Sequence, residues 1–506
     1  MSSRYYLATA IPYVNAPPHI GHALLFVYAD VMARFQRLQA KDVRFLTGTD
    51  EHGQKIVQNA TAAGAEPQAF TDRMSQNVRD MAEMLELSQT DFVRTTEARH
   101  RKAVEAFWPR VAANGYLYKK RYGGLYCVGC ESFKTEKDLV DGICPDHKAK
   151  PEYIEEENWF FKLSAFREKL LALYAAHPDL VVPETRYNEM KRLVEQGLED
   201  MSVSRSKERL SWGIPVPGDE GQVIYVWFDA LINYLTGAGF GSDEAEFAQW
   251  WPSDAQFLGQ EINRFHSVLF AAMLMAADLP VPKRFYAHGW ITVDGQKMSK
   301  TIGNVIKPKD LVDRFGADAM RFLLCREFPF ASDGDYSAAR FMARYDADLA
   351  NNFGNLAHRT VHMLAKYRAG KMPAAAAPIF DVADICARYA AHMDRAEYDQ
   401  ALQLVWTEVV DRANKLVEER KPWTLAKEGK DAELDETLAQ LLEALRLAAW
   451  FVQPFIPATS AKLLAQLGQS AEPSADVFAW GRIAPGTEIA IAPPLFPRIE
   501  EAAPAA

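Results

Sequence analysis

The stretch "YYLATAIPYVNAPPHIGHALLFVYADVMARFQRLQA", residues 5–40, decides how the chain is read. It opens on an apolar run of strand length, "YYLATAIPYV". Pro17 and Pro18 then interrupt it, and from Ala23 onward the apolar residues recur at helical spacing. The layout is strand, proline-containing turn, helix, with His19 and His22 in the first helical turn. A helix N-terminus offers unpaired N–H groups and a positive dipole end, a natural seat for phosphate. Two imidazoles three residues apart lie on one side of that turn and can donate hydrogen bonds to phosphate oxygens. On these residues alone a second reading stays open, in which the histidines cap the helix and pack.

Working outward, the first 115 residues alternate β-like runs with amphipathic helices, as in "VRFLTGTDEHG" at 43–53. Such alternation predicts an α/β fold with a parallel, doubly wound, Rossmann-like sheet, whose ligands sit at the carboxyl ends of the strands. "PPHIGH" and "GTDEHG" would both lie there. Residues 116–212 are turn-rich and β-like, then acidic and helical, and read as an insertion. The strand-then-helix pattern resumes at "GQVIYVWFDALINYL" (221–235) and runs through "RFYAHGWITVDG" (284–295). The predicted segments are therefore a first half-sheet (1–115), the insertion (116–212), a second half-sheet (213–292), a loop region (293–340) and an α-helical bundle with a disordered tail (341–506).

At 506 residues the chain is too long for one hydrophobic core. No stretch is long and apolar enough to span a membrane, and the N-terminus lacks the apolar core of a secretory signal. The net charge of −10 argues mildly against nucleic acid unless a local basic face exists. Five cysteines make no disulfide framework, and three of them crowd into residues 127–144 beside His147. That pattern points to metal in a reducing cytoplasm. Cys127-x2-Cys130, thirteen residues, then Cys144-x2-His147 can each span adjacent corners of a tetrahedron and close a structural zinc site. Cys325 and Cys386 read as core residues.

"VDGQKMSKTIGN", 293–304, is polar and glycine-punctuated, and its Lys297 and Lys300 can neutralise a departing pyrophosphate. Read alone it is also consistent with a solvated basic turn. Taken together, "HIGH" and "KMSKT" resemble the paired signatures of the class I aminoacyl-tRNA synthetases, with Thr301 in place of the usual Ser. The resemblance implies that both motifs grip ATP, with Mg2+, while an amino acid carboxylate attacks the α-phosphate. The acyl group of the adenylate then passes to the 3′-terminal ribose of a tRNA. The insertion is too short for the editing domain of the leucine, isoleucine and valine enzymes.

"AIPYVNAPPHIGHA", "FLTGTDEHGQKI", "YVWFDALINYL", "GQEINRFHSVLFAAML" and "NNFGNLAHRT" further resemble the methionyl-tRNA synthetase family, in order and over nearly the whole chain. That resemblance implies L-methionine and tRNA(Met) as substrates. It puts Ile11, Tyr13, Trp227, Ala230, Leu231, Tyr234, Ile262 and His266 around the methionine side chain, and Asp50 on its ammonium group. A thioether lacks a strong hydrogen-bonding handle, so shape and sulfur–aromatic contacts must recognise it. Gln260-Glu261 stands where the family often has Lys-Asp, which puts one contact near the ribose in doubt. The zinc ligands resemble the family's single-knuckle form with His147 as the fourth. Asn355 and Arg359 would read anticodon bases and Trp423 would stack on one, beside a basic face of Lys366, Arg368, Lys371, Arg412, Lys415, Arg420 and Lys421.

Three other readings compete with this one. The cysteine enzyme places its zinc at the substrate pocket, whereas all four ligands here lie in the insertion. A nucleotidylyltransferase would lack the knuckle and the bundle. A non-catalytic RNA-binding paralogue has no reason to keep His19, His22, Lys297 and Lys300 together. The chain ends soon after "PPLFPRIEEAAPAA", without the dimerising oligonucleotide-binding domain of some relatives, so a monomer is expected.

Overall fold

The computed structural model describes residues 3–127, 132–134, 136–145, 148–298, 303–474 and 476–499. Six strands, β1 (Arg4–Thr9), β2 (Asp42–Thr49), β3 (Asp91–Arg94), β4 (Val181–Val182), β5 (Ala255–Gly259) and β6 (Phe285–His288), form one all-parallel sheet. Its order is β3-β2-β1-β5-β6-β4. The order reverses at β1, so the crevice for a ligand opens beyond the carboxyl ends of β1 and β5. Leu7 and Ala8 of β1 and all of β5 are buried, as expected of strands covered on both faces.

The helix α1 (Ile20–Leu38) follows β1 and is buried nearly all round from Ala23 to Ala33. The short helix α2 (Val226–Ala230) lies next to the crevice, α3 (Ala317–Glu327) leads to the bundle, and α4 (Asn355–Arg368), α5 (Asp411–Arg420), α6 (Pro422–Glu428) and α7 (Asp431–Val452) lie within it. α7 is buried along most of its length, as the central helix of a bundle must be.

Two details differ from the sequence reading. The strand at "GQVI" does not rejoin the main sheet. Asp219–Ile224 instead pairs antiparallel with Pro215–Val216 and Ser204–Ser206, because Gly218 (φ 81°) turns the chain straight back on itself. Conversely, the stretch read as an insertion returns β4 to the edge of the main sheet, where Val181 pairs with Phe285. The rest of that stretch is largely a four-stranded antiparallel sheet built on Leu117–Cys127 and Glu152–Phe161.

One buried ion pair joins the sheet domain to the bundle. Arg321 on α3 lies 2.7 Å from Asp30 of α1, and both side chains are fully buried. The same guanidinium donates to the carbonyls of Leu85, Pro454 and Phe455 at 2.8–3.0 Å. Burial alone would raise the Asp30 carboxyl, but Arg321, Arg34 and the Ser88 hydroxyl outweigh it and hold the group at about 2.

Candidate active site

His19 is the N-cap of α1, and the two open readings of the histidines prove compatible. The Gly21 N–H donates to His19 Nδ1 and the His19 N–H donates to His22 Nδ1, both at 3.1 Å. This is a capping box made of imidazoles in place of the usual hydroxyl and carboxylate. It has a chemical consequence. A backbone N–H can only donate, so each Nδ1 is a lone-pair acceptor and each ring carries its proton on Nε2. Burial lowers the pKa of both rings, and for His22, with His19 and His288 adding to the effect, to about 3. Two neutral imidazoles, 4.0 Å between centroids, thus line the crevice with Nε2–H donors of fixed tautomer. A Cβ at Gly21 would come within 2.9 Å of the His19 ring, so only glycine lets the ring fold back onto the helix.

The crevice is a cavity of about 430 Å³. The chain beyond β1 and the loop beyond β2 are zipped together there: Asp50 N–H donates to Pro12 O at 2.9 Å and Val14 N–H to Asp50 O at 3.1 Å. Ile11, Tyr13 and Asp50 consequently line one wall. The rest of "GTDEHG" turns inward. Glu51 accepts from Arg94 Nε at 2.7 Å, and His52 Nδ1 lies 2.7 Å from Asp229 of α2. Asp229, fully buried, also meets His100 Nε2 at 2.7 Å; burial opposes its charge, but His52 and His100 outweigh that and hold it at about 2. This triad ties the Asp50 loop to α2.

Trp227 and Ala230 of α2, with Leu231 and Tyr234 just beyond, line the second wall, and Ile262 and His266 complete it. His266 lies on a π-helical segment, Arg264–Phe270, a geometry often found at functional sites. Its Nδ1 donates to Ile262 O at 2.9 Å, so Nε2 accepts the Tyr234 hydroxyl at 2.8 Å. Burial lowers its pKa to about 4, and the ring stays neutral. Tyr234 and His266 therefore satisfy each other, and this wall of the cavity is largely apolar and aromatic. Phe265 stacks on Trp227 with centroids 4.0 Å apart and planes within 5°.

Lys297 lines the same cavity, its ammonium 5.0 Å from the Trp290 ring centroid. Its loop is tied to α1: Ile20 N–H donates to Ile306 O at 3.0 Å, and the Met298 methyl would touch a Cβ at Gly21. Lys297 and Met298 of "KMSKT" thus meet "HIGH" across one crevice, while Ser299, Lys300 and Thr301 lie outside the described residues. At the doubtful Gln260-Glu261 pair, Gln260 turns to Asp333 (2.9 Å), whereas Glu261 lines the cavity and accepts the Trp290 indole N–H at 2.9 Å. Sequence reasoning did not single out His288, Trp290, Met298 or Phe265. The adjacent "HGW" and "KM" were a signal for the first three; the stacking of Phe265 on Trp227 left none.

A family model described as tRNA synthetases class I (M) matches residues 5–150 and 146–361, and the anticodon binding domain of methionyl tRNA ligase matches residues 368–506. The chain belongs to the methionyl-tRNA synthetase family. Within that family, the methionine–tRNA ligase of Brucella suis is 44% identical over 99% of this chain and 98% of its own length. That of Thermotoga maritima is 41% identical over 98% of this chain and 80% of its own. A Mycobacterium tuberculosis methionyl-tRNA synthetase, solved in complex with methionyl-adenylate, superposes with a TM-score of 0.93 at 41% identity and covers 98% of this chain and 100% of that one.

Asn355 is exposed at the start of α4 and Arg359 follows one turn later, both within the synthetase match and ahead of the anticodon-domain match at 368–506. Trp423 is 42% exposed on α6, which packs against α4, so it is not a core residue. The expected basic face is partly paired with acids, as is the neighbouring Arg359. Arg359 meets Glu418 at 3.0 Å, Arg368 meets Asp431 and Asp435, Lys415 meets Glu419 and Arg420 meets Glu436. Those acids sit on α5 and α7, one turn along or across a helix interface, where a linear reading does not place them.

Of the four expected zinc ligands, Cys127 and Cys144 are buried at 2% and 0% exposure, while Cys130 and His147 lie outside the described residues. Among the described residues no cluster of three metal-ligating side chains occurs. Cys325 is fully buried and Cys386 half-buried. Among the described residues no helix is long and apolar enough to cross a membrane.

Proposed function

We infer that this chain is a methionine–tRNA ligase, which forms methionyl-adenylate and pyrophosphate from L-methionine and ATP and then esterifies the 3′-terminal adenosine of tRNA(Met). The observation that carries the reading is the sharing of one cavity: the side chains expected around methionine line the same crevice as His19, His22 and Lys297. Asp50 is the counter-ion for the substrate ammonium. Trp227, Tyr234 and His266 enclose the thioether, and because Tyr234 and His266 are mutually bonded, neither is left to bond a polar side chain.

The carboxylate oxygen attacks the α-phosphorus, and the bond from that phosphorus to the bridging oxygen of the β-phosphate breaks. Charge builds on the phosphate oxygens, where the Nε2–H donors of His19 and His22 and the Lys297 ammonium stabilise it. Neutral imidazoles donate without competing for the proton. Lys300 is the second cation that the motif would supply, and Mg2+ enters with ATP. No covalent enzyme intermediate is needed; positioning supplies much of the acceleration. In the transfer step the ribose hydroxyl attacks the acyl carbonyl and AMP leaves.

The decisive experiment is amino-acid-dependent exchange of labelled pyrophosphate into ATP with each of the twenty amino acids. Exchange is expected with methionine, and exchange with cysteine instead would overturn the assignment. Trp423→Ala is expected to spare this exchange and to lower aminoacylation by roughly one stacked base, ~1–3 kcal/mol. Equal loss in both assays would remove Trp423 from the anticodon.

Zinc is the finer part of the reading. Two buried cysteines in the insertion fit soft-metal ligation, and Cys127, Cys130, Cys144 and His147 would hold the ion with no open position, so its part is to fold the knuckle. Metal analysis of the purified protein is expected to find one zinc per chain, and Cys144→Ser to release it. A metal-free protein of full thermal stability would refute the site.

A further inference from the structure

On α4 and the π-helical turns that precede it, the solvent side is a continuous stripe: Asn351, Asn355, His358, His362 and Lys366 are all exposed, spaced four, three, four and four residues apart. Leu356, Thr360 and Leu364 face the core from the other side. At ~1.5 Å per residue the stripe runs roughly 20 Å, several nucleotides' length. No carboxylate interrupts it, in a chain whose net charge is −10. Two acids on α5 are taken up beside it, Glu418 by Arg359 at 3.0 Å and Asp411 by the Asn352 amide at 2.8 Å.

At its centre the two imidazoles lie with centroids 3.9 Å apart, and His362 Nδ1 donates to His358 O at 2.8 Å. Two exposed aromatic rings held against one another make a ready stacking platform, where isolated exposed histidines would swing freely. Asn351 offers an amide and Lys366 an ammonium at the two ends. Stacking faces, amide donors and a terminal cation, without acids, match the chemistry of a single-stranded RNA loop and its phosphates.

We propose that Asn351, His358, His362 and Lys366 form a contact track for the anticodon arm of tRNA that extends the Asn355–Arg359 face along α4. The track rests on the reading of that face as the anticodon contact. The imidazole pair stacks on an unpaired base beside those met by Trp423, and Lys366 meets a phosphate.

The test is equilibrium binding of tRNA(Met) to the full chain. The double variant His358→Gln, His362→Gln is expected to weaken binding about tenfold. Lys366→Gln should lower the slope of log affinity against log salt by about one. Both variants should leave methionine-dependent pyrophosphate exchange unchanged, because the altered side chains are exposed and lie on the bundle rather than on the cavity. Wild-type affinity in the double variant, with Trp423→Ala still impaired, overturns the track and leaves the anticodon face standing. Wild-type affinity in all of these variants removes the face and the track together.

Discussion

His22→Ala is expected to slow adenylate formation by about two to three orders of magnitude, the typical cost of losing one preorganised donor to a developing phosphate charge. The loss should appear in single-turnover rates, with methionine affinity little changed, because Asp50, Trp227 and His266 keep their own partners. The ring also caps α1 by accepting the His19 N–H, so the variant should lose about 1 kcal/mol of stability as well. A stability loss with a rate loss under tenfold would leave capping as the ring's whole task.

The tautomer argument adds a pH dependence. His22 is held near 3 in the fold, against 6.5 in the unfolded chain. Between those values the unfolded chain binds the extra proton, so this contribution to stability is complete above about 6.5 and is lost as the pH falls toward about 3. Wild-type unfolding midpoints should therefore fall more steeply below pH 6.5 than those of His22→Gln. Adenylate formation should show no protonation step from His22 near neutrality.

Arg321→Met is expected to destabilise the protein by about 3–5 kcal/mol in urea or thermal unfolding. Without the guanidinium, Asp30 is left with the partly exposed Arg34 as its ion-pair partner, and the carbonyls of Leu85, Pro454 and Phe455 lose a shared donor. Adding Asp30→Asn should return part of the loss, since the uncompensated charge is then gone. Additive losses would mean that the pair carries no coupling. Because the Asp30 carboxyl is held at about 2, below its ordinary 3.8, its stabilisation is complete above 3.8 and is lost as the pH falls through about 2. The same strut links α1, which carries the two histidines, to the bundle that carries Asn355 and Arg359.

The crevice was legible in the residues because its chemistry is carried by types that are costly to place idly. Two histidines at a helix start and two lysines in a glycine-bounded loop suggest a ligand by their chemistry, the family resemblance adds Asp50, and the fold brings His19, His22, Asp50 and Lys297 to one cavity. Long-range partners were not legible. The hold of Asp229 on His52 and His100 and the contact of Glu261 with Trp290 join positions separated by as many as 177 and as few as 29 residues, with no shared local pattern. The basic face was only partly legible for the same reason: a string of lysines and arginines reveals its own charge, while Glu418, Asp431 and Asp435 reach some of it from neighbouring helices.

Local sequence by itself determined the strand–turn–helix at residues 5–40 and the helical bundle, because periodicity and prolines act within a few residues, while the groups expected to meet the substrates came from the family resemblance. Only the tertiary structure decided which nitrogen of each histidine faces the crevice, that Tyr234 and His266 quench each other, and which cations of the bundle are already paired. Those outcomes depend on hydrogen bonds and ion pairs whose partners are set by how the elements pack, and packing brings together residues that no local rule connects.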